Sequence, residues 1–249
     1  SSSGPFSISS SGAEQDWSLW ASSSALRLSG DDDGHGGNLT LGMDANLGSD
    51  AIAGLYLAYD WSKLQEGGQD STARATAVGT YLGVRLAEDV ALDAHFGYAK
   101  PAYTVSGSDF QSKRVMGSVG LTGIWQTTSI VWSPGFRISG YEEQVPAHSE
   151  GPVTFDASNR QSWSTAVSIR AEGKRPLGNS GLHPYAEISI GRSGMSVEVD
   201  GWQHFAANRG ALGVTGSVGS GALSIELSGG GVLDEVEDSR LSISYSISY

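Results

Sequence analysis

Asp93 and His95 in the run VALDAHFGY are the first candidates for chemistry. An acid beside an imidazole can hold it as a general base, and residues two apart on a strand share one face. General-base work would call for more carboxylates facing the pair, and this pair sits in mid-strand, so an ordinary polar pair is expected. His148 and Ser149 offer a base and a hydroxyl, but adjacent strand residues point to opposite faces, which rules out a nucleophile pair on a strand. The acids of DDDGHGG at 31–37 could gather around calcium. They lack the regular spacing and the later bidentate glutamate of a calcium loop, so a solvated loop is expected. GSGALS, from Gly219, lacks the third glycine and the βαβ setting of a nucleotide fingerprint. The chain has no cysteine and hence no thiol chemistry. Neither catalysis, nor a cofactor, nor a metal site is expected.

The elements that would carry such residues have a period of two almost throughout. In NLTLGMDANL, Leu39, Leu41, Met43, Ala45 and Leu47 alternate with Asn38, Thr40, Gly42, Asp44 and Asn46. AIAGLYLAYDW sets Ala53, Leu55, Leu57, Tyr59 and Trp61 against Gly54, Tyr56, Ala58 and Asp60. ALSIELS sets Leu223, Ile225 and Leu227 against Ser224, Glu226 and Ser228. Such runs predict about twelve strands, near 17–28, 38–47, 51–62, 72–87, 90–103, 113–126, 130–142, 161–175, 184–192, 206–218, 222–230 and 239–249. Helical periodicity is nowhere convincing.

The connections alternate in length. Those at 48–50, 87–89, 126–129, 176–183 and 219–221 are short; those near 29–37, 63–71, 104–112, 143–160, 193–205 and 231–238 are longer and polar. Short turns at one end and long loops at the other describe an up-and-down meander. An even strand count puts both termini at the short-turn end. No apolar run reaches the length of a spanning helix, which leaves untouched a barrel built on alternation. Lipid cannot hydrogen-bond an open sheet edge, so such a sheet must close, the last strand on the first. The fold expected is therefore all-β: a closed, antiparallel transmembrane barrel of about twelve strands.

Composition narrows the partners. Lysine and arginine number 15 against 27 acids, a net charge of −12, so no basic face for nucleic acid is expected. SSSGPFSISSSGAEQD at 1–16 has neither the basic start nor the apolar core of a secretion signal, and the chain is read as mature or as a fragment. Its Ser/Gly-rich composition suggests a linker, with the barrel over 17–249. The ionisable residues on the non-apolar face are expected to line a hydrated lumen: Asp44, Asp60, Arg85, Asp93, His95, Arg137, Arg170, Glu172, Glu187, Arg209, Glu226 and Arg240, with Tyr56 and Tyr81. Aromatic pairs at strand ends are expected at the headgroups: Tyr59 and Trp61, Phe96 and Tyr98, Tyr245 and Tyr249. Trp17 and Trp20 have opposite parity, leaving the facing of the first strand open.

LSISYSISY, the final run, alternates up to Tyr249. Leu241, Ile243, Tyr245, Ile247 and Tyr249 resemble the terminal strand by which bacterial outer-membrane proteins are recognised by the barrel-assembly machinery. Further stretches resemble the β-domain of autotransporters, the translocator barrels of type V secretion in Gram-negative bacteria. WSLWASSSALRLSGDDDGHGGNLTLGMD is similar to that family's opening, VGTYLGVRLAEDVALDAHFGYA to its next paired strands, and HPYAEISIG to its late Pro-Tyr-x-Glu strand. The likeness covers roughly 17–249. Self-cleaving members carry an Asn-Asn junction ahead of the first strand; residues 1–16 hold no asparagine, so self-cleavage within them is not expected.

The resemblance implies a monomeric outer-membrane translocator that anchors and helps export a passenger fused at its N-terminus. Both barrel termini would be periplasmic, outer-membrane lipid would surround it, and residues 1–16 would thread the pore. The alternative is a stand-alone barrel without a passenger, either a small-solute pore or a surface adhesin.

Overall fold

The computed structural model describes residues 17–29, 33–66, 69–150, 153–197, 201–230 and 237–248. Tyr249, the segment 1–16 and the loop acids Asp31 and Asp32 lie outside them. Twelve long strands form the wall: β1 (Trp17–Ser29), β2 (Asp33–Asn46), β3 (Ala51–Glu66), β4 (Gln69–Ala87), β5 (Val90–Val105), β6 (Lys113–Gly123), β7 (Ile130–Val145), β8 (Ser158–Gly173), β9 (Leu182–Val197), β10 (Arg209–Val218), β11 (Gly221–Gly230) and β12 (Glu237–Ser248). Each pairs antiparallel with its neighbours in sequence, and β12 returns to β1, so the sheet has no lateral edge in the wall. Short strands at Ser108–Gln111, Trp125–Gln126, His148–Glu150, Val153–Phe155 and Gly201–Ala206 decorate the ends. No helix occurs among the described residues.

The alternation at the C-terminus is explained by the seam. Leu241, Ile243, Tyr245 and Ile247 stand opposite Ala25, Ser23, Ala21 and Leu19 of β1. The same four stand opposite Leu227, Ile225, Leu223 and Gly221 of β11. The last strand is thus an interior member of the ring, held on both sides.

The register fixes the width. A path of directly opposed residues leaves β5 at Ala91, passes through Thr122, Gly135, Ser168, Ser189 and Arg209, and closes through Asp238, Leu28 and Leu64. It meets β5 again at Val105, 14 residues along. With strands about 4.8 Å apart and a rise of about 3.3 Å per residue, this stagger tilts the strands by about 39° and places the backbone about 12 Å from the axis.

One face of the wall points away from all protein. Leu55 is 61% exposed, Ile190 67% and Leu212 66%, and similar side chains ring the barrel at the same parity. A soluble monomer rarely leaves so much apolar surface wet, so this face calls for hydrocarbon. Trp61 and Tyr59 stand near the upper limit of the apolar band. Phe96, expected in a girdle with Tyr98, instead lies opposite Thr80 and Gly117, within the apolar band.

Most strands run further toward the long-loop end than alternation suggested. The expected loop 104–112 contains strand Ser108–Gln111, and 143–160 contains a hairpin, His148–Glu150 with Val153–Phe155. β9 continues to Val197, and Gly201–Ala206 pairs back on it, so β10 begins at Arg209 rather than 206. β6 ends at Gly123, and β8 is shifted to Ser158–Gly173. Beyond the lipid both faces of a hairpin meet water, so the sequence there carries no period of two.

Candidate functional site

The lumen is filled on one side and open on the other. A cavity of about 1180 Å³ runs from Asn46, Ser220 and Ser246 at the short-turn end to Leu64, Val105 and Phe110 at the long-loop end. Small inward side chains on β1 to β5, such as Ser22, Ser24, Ala58, Ala77 and Ala99, leave this room. At ~30 Å³ per water, it has space for about forty waters. It is an off-centre channel along the β1–β5 wall.

Glycines let the aromatic rings lie flat against that wall. The Tyr56 ring lies where a Cβ on Gly79 or Gly97 would stand, the Trp20 ring covers Gly42, and Tyr81 covers Gly54. Upright rings would block the passage. Trp20 therefore settles the facing of the first strand: its indole points inward and donates to Tyr81 Oη at 2.6 Å. Tyr81 donates in turn to Asp44 at 2.6 Å, and Ser18 donates to the same carboxylate at 2.5 Å. Asp60 accepts from Asn38 at 2.6 Å.

The opposite wall is crowded with paired groups. Arg137 joins Asp93 by ion pairs at 2.8 and 2.9 Å. Arg170 binds Glu172 at 2.8 Å and lies 3.5 Å over the Tyr185 ring, while Tyr185 donates to Glu226 at 2.9 Å. Arg209 binds Asp238 at 2.6 Å. Glu187 is half-buried, directly across from Arg170. Arg170 and Glu172 lie on one strand, β8; the other contacts cross from strand to strand and stiffen the ring.

Of the residues expected in the lumen, Asp44, Tyr56, Asp60, Tyr81, His95, Arg137 and Arg240 border the channel. Asp93, Arg170, Glu172, Glu187, Arg209 and Glu226 stand on the filled side. Arg85 shares the inward parity at a register shift between Arg85 and Ala87, near the short-turn end. Asp93 and His95 each take other hydrogen-bond partners. Asp93 is taken by Arg137, and His95 Nδ1 lies 2.7 Å from Ser118 Oγ, which also accepts from Arg137 at 3.1 Å. His148 lies in the outer hairpin, its ring stacked between Phe110 and Phe155 at centroid distances of 3.8 and 5.4 Å. Among the described residues no cluster of three or more metal-ligating side chains forms.

The most buried ionic group was missed by alternation. Glu143, 1% exposed, accepts from Arg114 at 2.7 and 3.0 Å, from Tyr103 at 2.6 Å and from Ser112. It ties β5, β6 and β7 together just inside the long-loop rim. Its parity with Arg137 on the same strand was the available clue. Arg114 and Arg160, which also border the channel, were likewise overlooked, while Trp20, whose facing alternation left open, borders it too.

A closed sheet, apolar outside and hydrated within, defines a transmembrane β-barrel of the bacterial outer-membrane class. The chain belongs to the autotransporter beta-domain family, whose model matches residues 15–245. It is an outer-membrane translocator barrel for export of a fused passenger. The fold is similar to the β-domain of the Bordetella autotransporter BrkA (TM-score 0.77, 14% identity, 94% of this chain and 100% of that one). It is also similar to the translocator domain of NalP from Neisseria meningitidis (TM-score 0.74, 11% identity, 96% and 90%). The transport unit of AIDA-I from Escherichia coli shares the fold at TM-score 0.66, 12% identity, 98% and 93% coverage. No curated protein sequence matches the chain.

Proposed function

We propose that the off-centre channel holds residues 1–16, which run from β1 at the periplasmic end to the cell surface and there meet the passenger. The observation that supports this is the position of the open space. It lies along β1, the strand that continues directly from residue 16, and its wall there includes Ser18, Ser22 and Ser24, beside Trp17, Leu26 and the flat-lying Trp20. Small hydroxyls and methyls hold a passing chain loosely, whereas a wall of ionic anchors would bind it. About ten extended residues, at ~3.3 Å each, suffice to cross a 25 Å apolar band.

In this reading the barrel does no covalent chemistry, and its filled wall serves to keep the ring round. Leu241, Ile243, Tyr245, Ile247 and Tyr249 form the strand offered to the barrel-assembly machinery, and both termini of the barrel face the periplasm, with the long-loop end outward. The inward ionisable set, Arg85 and Glu187 included, keeps the lumen hydrated. The test is a disulfide between Ser10→Cys and Ser24→Cys in the assembled protein. Efficient cross-linking, together with surface labelling of a cysteine at Ser1, is the expected result; labelling of Ser1 only from the periplasm would overturn the reading.

A further inference from the structure

The outward face changes character just beyond Tyr59, Trp61 and Tyr98. Lys63 on β3, Arg74 on β4, Lys100 on β5 and Lys113 on β6 occupy four adjacent strands. Their positions alternate in phase with Trp61, Val78, Tyr98 and Val115, the lipid-facing set. By the tilt and stagger above, their Cα atoms stand within about 4 Å of one another in height. Lys63 pairs with Asp70 at 2.7 Å, both partners half exposed. Arg74, Lys100 and Lys113 have no ion pair among the described residues, and all three are exposed; Arg74 also borders the upper end of the lumen cavity. Glu142 on β7 bounds the patch on one side. In a chain of net charge −12, four cations gathered on one outward face are a local reversal of sign. At the other end of the barrel the exposed turns carry Asp50, Glu88 and Asp89 alongside Lys174 and Arg175.

Lys113 also borders a cleft of about 380 Å³ on the outer wall. Gln111, Gln144, Ser158 and Asn159 supply its polar lining. Ammonium and guanidinium groups suit phosphate, while amides and hydroxyls suit the hydroxyls of a sugar. The two features adjoin at the height where a lipid headgroup meets the wall.

We infer that the face formed by Arg74, Lys100, Lys113 and the adjoining cleft binds the phosphorylated sugar headgroup of an outer-leaflet glycolipid. The inference rests on the membrane placement proposed above, with the long-loop end outward. The phosphates lie across the β4–β6 cations and a headgroup sugar enters the cleft. Lys63, held by Asp70, borders the site. Bound lipid of this kind would anchor the barrel's rotation and height in the membrane.

The test uses the full chain in phosphatidylcholine nanodiscs, probed with bis-phosphorylated lipid A, its dephosphorylated form and inorganic phosphate. A basic group near a membrane surface contributes about fivefold in affinity. Lys100→Gln with Lys113→Gln is therefore expected to weaken binding of the phosphorylated lipid about 25-fold, and 0.5 M salt to weaken it similarly. Heat-modifiable migration on gels would show the variant's barrel intact. Equal binding by the variant, or equal binding of the dephosphorylated lipid, overturns the inference. Displacement of the lipid by millimolar inorganic phosphate also overturns it, leaving a free-phosphate site. Failure of the membrane placement would show separately, as Val153→Cys in the outer hairpin escaping a membrane-impermeant label on intact cells.

Discussion

The two halves of the lumen wall are built from the same strand type yet do opposite things. The β1–β5 wall is lined by serine and alanine, with its rings pressed flat on glycine; the β6–β11 wall is packed with arginines and carboxylates that satisfy one another. A twelve-stranded barrel lies between those that side chains fill and those wide enough for an aqueous pore. Filling one half and clearing the other yields a passage for a single polypeptide without adding strands. It also separates rigidity from conduction, since the ion pairs that brace the ring stand mostly outside the path.

That comparison breaks most severely if the clear wall is filled. Ser22→Trp combined with Ser24→Trp would put two indoles in the channel on β1. Passenger display at the cell surface is expected to fall at least tenfold, measured by protease shaving, with the barrel itself still inserted and heat-modifiable. Removing charge on the filled side without changing bulk, as in Glu226→Gln or Glu172→Gln, changes no width and should leave display within about twofold. A similar loss from both walls would mean that the channel is not the route.

Next in size is the brace at the rim. Glu143→Ala removes the carboxylate that Arg114, Tyr103 and Ser112 share, leaving a half-buried guanidinium without its partner. Breaking a buried pair from one side costs about 3 kcal/mol. Guanidinium unfolding in detergent should show that loss, and Glu143→Gln, which keeps acceptor capacity, about half of it. The glycine seats come after. Gly79→Ala would push the Tyr56 ring off the wall, with an overpacking cost of about 1–3 kcal/mol and a narrower channel, read as reduced single-channel conductance. The cost and the narrowing should appear together, since the same ring causes both.

Much of this was legible in the chain, and the division follows the solvent. Wherever one strand face meets lipid and the other water, side chains alternate, and all twelve wall strands could be read from that. So could the inward parity of Asp44, Asp60, Asp93 and Arg137. Past the headgroups both faces are wet. Residues 108–111, 148–150, 153–155 and 201–206 form strands there without any apolar rhythm, and Glu143 passed for a loop acid because Glu142 and Gln144 beside it are also polar. Pairing is a second limit. Asp93 and His95 share a face, as expected, but parity cannot show that Arg137 takes the aspartate and Ser118 the imidazole, because those partners come from other strands. Nor does alternation say which inward wall is crowded: that depends on the volume of every lumen residue at each height, summed around the ring.

The smallest expected effect tests whether the clear wall has any brace of its own. Trp20, Tyr81 and Asp44 form a chain of hydrogen bonds from β1 to β4 and back to β2, with the Tyr81 hydroxyl in the middle as both acceptor and donor. Tyr81→Phe keeps the ring on Gly54 and removes only that hydroxyl. Two bonds are lost, but Asp44 retains Ser18 and borders the hydrated channel, where water can replace the phenol; the indole N–H can turn to the same water. A net cost of about 1 kcal/mol is therefore expected, with unchanged conductance, since the ring does not move. A loss of 3 kcal/mol or more would mean that this trio is shielded from water like the Glu143 cluster, and the contrast between a braced wall and a bare one would have to be redrawn at the short-turn end of β1.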